Sequence, residues 1–159
     1  MKQQSLSKWL RIILAGTGIC GLIIYFYILP DWGKSLADHY PEFSGAYWPW
    51  LIFLWLTAVP CYIVLFLGWK IAGNIGKDRS FSAENADLLK WISWLAGGDT
   101  LFFFVGNMVL WFLNMNHPGI VLLAMVVVFA GIAVTVAAAS LSHLVSRAAD
   151  LQEQSDLTI

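Results

Sequence analysis

The chain has 159 residues, of which 59% are hydrophobic and 12% charged, with a formal net charge of −1 and a mean hydropathy of +0.71. A soluble domain carries about 25% charged residues, so lipid is the solvent for most of these side chains, and one membrane domain over residues 1–159 is expected. The sequence has no basic stripe, and direct nucleic-acid binding is not expected.

Residues 1–9 form a short polar lead. The first apolar run, 12–29, follows Lys8 and Arg11. A signal peptide starts in a similar way, but its apolar core is about 7–15 residues. The nearest cleavage-like triplet, Ser35-Leu36-Ala37, also lies well past the end of this run. A retained anchor that stops at Pro30 is expected. Residues 30–49 then form an outer loop rich in aromatic rings, with Asp31, Asp38, His39 and Glu42 among them. Carboxylates beside one histidine lack the specific spacing of a metal site. A loop folded onto the bilayer surface by its rings is the better reading.

The second run, 50–69, contains Pro60, which removes a backbone hydrogen bond and is expected to kink the helix. A loop over 70–90 follows. In it Ser82 is a good N-cap, and Glu84 falls in the first helical turn, where a negative charge suits the dipole. Leu88, Leu89, Ile92 and Leu95 carry an apolar stripe on into the third run, 91–113. One helix is therefore expected to begin in the cytoplasm and enter the membrane. Only residues 114–118 separate it from the fourth run, 119–141, so these two helices form an antiparallel hairpin. His117, beside Pro118, belongs to that turn. Gly131, Thr135, Ala138 and Ser142 recur at helical spacing and let a neighbouring backbone approach closely, within the chain or across a homodimer. The tail, 144–159, is amphipathic and leaves the bilayer.

Each run is about the ~20 residues a helix needs to span the hydrocarbon core. The predicted fold is thus all-α, a four-helix transmembrane bundle. Lys2, Lys8, Arg11, Lys70, Lys77, Arg79, Lys90 and Arg147 fall on one face of it, and only Lys34 falls on the other. By the positive-inside rule, both termini and the 70–90 loop are cytoplasmic. Of the 9 tryptophans, seven lie near the ends of runs and Trp55 and Trp94 a little deeper, as expected of interfacial anchors.

Asp99 is the single carboxylate inside a run. A charge at the bilayer centre costs about 2.5–3.5 kcal/mol on insertion scales. Three readings stand. In the first, Gly97 and Gly98 break the helix and Asp99 caps its second half. In the second, Asp99 is a proton or cation site. In the third, it is shallow and reached by water. Counting from the helix ends brings Cys20, Cys61 and Ser140 to a similar depth, with Tyr62 close enough to donate a hydrogen bond. Asn107 lies on roughly the same face and reads as interhelical glue. Both thiols read as inert. No carboxylate pair, Ser-His arrangement, glycine-rich phosphate loop or zinc spacing is present, so neither an enzyme nor a cofactor or metal is expected.

Two segments carry a resemblance. They are "FSAENADLLKWIS" at 81–93 and the stretch from His117 to the terminal "DLTI". Together they resemble small bacterial membrane proteins grouped as domain of unknown function 2975. The shared features are Phe81, Ser82, Glu84 and Asn85 before the third helix, and Asp156, Leu157, Thr158 and Ile159 at the end. The resemblance implies a bacterial inner-membrane location and a partnership with a small helix-turn-helix regulator of the Cro/repressor type. Phe81–Asn85 and Asp156–Ile159 would then make one docking surface. Two further readings stand beside it: a small dimeric proton- or cation-coupled transporter using Asp99, and an immunity-type subunit acting through the small-residue face of the fourth helix.

Overall fold

The computed structural model describes residues 3–157. Among the described residues there are four helical rods and no strand. The first rod, Gln3–His39, joins α1 (Gln3–Ile23), a π-helical turn (Ile24–Ile28) and α2 (Leu29–His39). A 3-10 turn, Pro41–Ala46, leads into α3 (Tyr47–Gly76), which is followed by α4 (Ala83–Phe112) and α5 (Pro118–Leu157). All four rods are long and apolar enough to cross a bilayer. The chain is an all-α, four-span membrane protein. Its large apolar side chains, such as Phe129, Phe112 and Leu122, face outward, as lipid solvation allows.

The helices extend beyond the apolar runs. The first rod does not stop at Pro30. Proline lacks an N–H, and its ring crowds the carbonyl four residues back, here Phe26. The turn widens to a π-helix at that point, and Leu29 N–H bonds Ile24 O instead of Tyr25 O. Pro30 has no N–H to offer Tyr25 O either, so that carbonyl is left over. Trp55 Nε1 fills the vacancy from α3, donating to Tyr25 O at 2.9 Å. The expected loop over 30–49 is therefore mostly helical. The loop expected over 70–90 shrinks to 77–82, and the tail continues α5 to Leu157. Helix α3 runs through Pro60 without ending.

The rods pack in chain order. Helix α1 lies on α3, α3 on α4, and α4 on α5, with no close backbone approach between α1 and either α4 or α5. Small residues set these seams, as expected where lipid supplies no hydrophobic drive. Tyr62 donates its hydroxyl to Gly18 O at 2.7 Å, and Ser7 Oγ donates to Ala72 O at 2.6 Å. The Phe53 ring of α3 lies over Gly106 of α4, where a Cβ would collide with it. Along α5 the small-residue face meets α4: Gly131 fits against Thr100, Ser93 Oγ donates to Thr135 O at 3.1 Å, and Ser142 Oγ donates to Ala86 O at 2.7 Å.

Two helix ends use the same device. Asp78 (φ 57°) and Asn114 (φ 55°) sit in the left-handed region just past α3 and α4. The following amides close six-residue loops, Arg79 N to Asn74 O at 3.0 Å and Met115 N to Leu110 O at 2.8 Å, the Schellman pattern. Gln3, the 77–82 loop and the start of α4 share one end of the molecule, where Ser80 Oγ donates to Gln3 Oε1 at 2.7 Å. That end carries the described basic residues other than Lys34.

Candidate functional site

Asp99 stands in an unbroken helix. The expected break at "GGDT" does not occur: α4 is continuous from Ala83 to Phe112. The physical reason is the solvent. A helix in hydrocarbon has no water to replace an opened backbone bond, so two glycines alone do not unwind it. Gly97 instead receives Thr135 of α5, 3.1 Å from where its Cβ would stand. Asp99 is therefore not a cap.

Its carboxylate has one hydrogen-bond donor among the described residues. Cys61 Sγ, on α3, donates to Oδ2 at 3.6 Å, while Oδ1 is buried with no partner. An unsatisfied buried polar atom costs about 1–3 kcal/mol, more if charged, so it calls for an explanation. Sequence depth had brought Cys61 to this level, and the structure pairs the two. Tyr62 lines the same space but spends its hydroxyl on Gly18 O. Ser140 and Cys20 are exposed and do not line it.

Around Asp99 lies a chamber of about 630 Å³, walled by all four rods. It exists because the rods pack in a row and leave α1 apart from α4 and α5. The polar lining is sparse: Thr17, Tyr25, Thr57, Cys61, Tyr62, Asp99, Thr100 and Asn107, among many aliphatic and aromatic side chains. Thr57 gives its proton to Leu54 O at 2.7 Å, so Tyr25 Oη is the donor in its 3.2 Å bond to Thr57 Oγ1. Tyr25 and Thr57 escaped the sequence reading. The available signal was Pro30, because a proline carried inside a helix disturbs the turn before it, where Tyr25 sits.

Asn107 closes one part of this wall. It is buried, donates to Phe103 O at 2.9 Å and accepts from Asn116 Nδ2 at 3.0 Å. It ties α4 to the turn before α5, so its glue acts within the hairpin. At the Lys34 end, a smaller space of about 60 Å³ lies among Tyr40, Phe43, Tyr47 and His117. His117 Nδ1 accepts from Gly119 N–H at 3.0 Å, capping α5, while its ring packs 5.4 Å from Tyr40. Among the described residues, no three His, Cys, Asp or Glu side chains come together as a metal cage.

At the basic end the residues of the first resemblance motif divide in role. Asn85 is 1% exposed, and its amide is spent inside. It donates to Arg79 O and Ser80 O, both at 3.0 Å, and accepts from Asn74 Nδ2 at 2.9 Å. Ser82 Oγ accepts from Asn85 N–H at 3.3 Å, the expected N-cap. Glu84 lies 3.9 Å from Arg79 with both side chains more than half exposed, a pairing worth little by itself. Phe81 points outward. Asp156 and Leu157 end α5, whereas Thr158 and Ile159 lie outside the described residues.

Comparison with known proteins places this architecture. Residues 32–159 match a family profile described as protein of unknown function (DUF2975). The chain belongs to this family. It is similar to "Uncharacterized membrane protein YoaS" of Bacillus subtilis (strain 168), at 29% identity over 153 residues, covering 95% of this chain and 96% of the relative. No solved structure matches it.

Proposed function

We propose that this DUF2975 protein is a small cation-handling membrane protein that receives its solute in the central chamber, with Asp99 as the charged contact. The observation that carries the reading is the partnerless Oδ1 of Asp99 beside a chamber built by all four rods. Intramembrane carboxylates are expensive, and they mark ion and substrate paths. The basic end, with both termini and the 77–82 loop, faces the cytoplasm of a bacterial inner membrane in this reading, supported by the charge asymmetry. The test is flux in vesicles containing the purified full chain, with an imposed proton or cation gradient. Asp99→Asn is expected to abolish the protein-dependent flux while the fold survives. Unchanged flux in that variant would remove Asp99 from the mechanism.

A second reading, docking of a small cytoplasmic helix-turn-helix regulator, is favoured by one observation. Asn85, Ser82 and the capped end of α3 hold the 77–82 loop in one shape that presents Phe81 outward. Cross-linking in native membranes, with and without residues 156–159, tests it. Unaltered capture of the regulator by the truncated chain would refute a role for the tail.

A further inference from the structure

We infer that the chamber's ligand is a lipophilic organic monocation, an amine or onium ion with apolar substituents; this rests on the chamber reading above. Three properties of the space select that class. Its size, about 630 Å³, falls within the ~300–1,000 Å³ of pockets that enclose drug-sized molecules. It is far larger than a bare metal ion or proton requires.

The donor set is the second property. A hard cation such as calcium or magnesium asks for about six or more oxygen ligands. Among the described residues Asp99 has a thiol as its only hydrogen-bond neighbour, and two hydroxyls of the lining are already engaged. Thr100 Oγ1 donates to Ala96 O at 2.7 Å, and Thr57 is spent on Leu54 O. What remains is one carboxyl group whose second oxygen has no partner. That is matched by one positive charge that does not need a full oxygen shell.

The walls are the third property. Aliphatic side chains such as Val127 and Leu123 suit apolar substituents, and the rings of Trp32, Trp50 and Phe103 line the same space. Aromatic faces attract cations, organic ammonium ions above all. An anion would meet Asp99 with no compensating base, because no Lys, Arg or His lines the chamber. A neutral apolar molecule would leave Asp99 Oδ1 without a partner.

The test pairs two probes of equal size and shape and opposite charge, tetraphenylphosphonium and tetraphenylborate. Each is titrated by calorimetry or tryptophan fluorescence into the purified full chain in detergent. The same titration into protein-free detergent micelles serves as the blank for partition into detergent. The expected result is saturable binding of the phosphonium above that blank, with the borate at least about tenfold weaker, a difference of about 1.4 kcal/mol. Asp99→Asn should remove the preference, and residual equal uptake of both probes would show that the variant still folds around its chamber. Equal binding of both ions by the unaltered chain, or binding of neither above the blank, would overturn the organic-cation assignment, whereas the proposed cation handling stands or falls on the vesicle flux of the Asp99→Asn variant.

Discussion

A single carbonyl links the irregular turn in the first rod to the chamber. Pro30 and the π-turn together strip Tyr25 O of its helical partner, and Trp55 supplies the replacement. The same turn sets Tyr25 on the chamber wall, hydrogen-bonded to Thr57. Replacing Trp55 with Phe keeps the ring and removes the donor. It is expected to destabilise the protein by about 1–3 kcal/mol, the cost of orphaning a buried acceptor, as read by thermal unfolding in detergent. A variant as stable as the parent would mean that the carbonyl finds another donor. Residues past the ends of α3 and α4 carry an opposite opportunity. Asp78 and Asn114 hold left-handed backbones that glycine adopts without steric cost. Asp78→Gly should leave stability unchanged or raise it slightly, whereas Asp78→Val should lower it by about 1–2 kcal/mol. The sequence displayed Asp99 as an oddity, and depth counting found Cys61. It did not reveal the orphan oxygen, because satisfaction of a polar atom depends on side-chain geometry across helices.

At the scale of elements, the seams rest on close approach more than on apolar burial. Gly131 lies against Thr100, and a larger side chain there must push α5 off α4. Gly131→Leu should cost about 1–3 kcal/mol by overpacking. Gly98, with open space where a Cβ would stand, is the control: Gly98→Ala should be neutral or stabilising by up to about 1 kcal/mol through helix propensity. A Gly131 variant as stable as the Gly98 variant would show that the hairpin has slack. The small-residue face of α5 was readable from spacing alone, because a 3.6-residue period projects onto one face of any helix. The boundaries were less readable. Apolar runs report where lipid begins and ends, whereas helices extend until a cap or a turn stops them. Hence α5 continues through the polar tail, and the "GGDT" glycines remain helical.

For the whole molecule, helix count and basic-end clustering were both legible, since hydropathy and charge are additive along the chain. The short 114–118 link announced the α4–α5 hairpin, but the row-like packing that opens the chamber was not legible, because nothing in the apolar runs says which other helices touch. That arrangement gives Cys20 and Cys61 different surroundings. Both thiols are exposed, but only Cys61 lines the chamber, 3.6 Å from Asp99. The most direct measurement is therefore labelling of the two single-cysteine variants, Cys20→Ala and Cys61→Ala, in membranes with cationic and anionic methanethiosulfonates of similar size. Cys61 should react faster than Cys20 and faster with the cationic reagent, and Asp99→Asn should erase that charge preference. Equal labelling of the two thiols, or a rate at Cys61 indifferent to reagent charge in the unaltered Asp99 background, would contradict a cation-accepting chamber at Asp99.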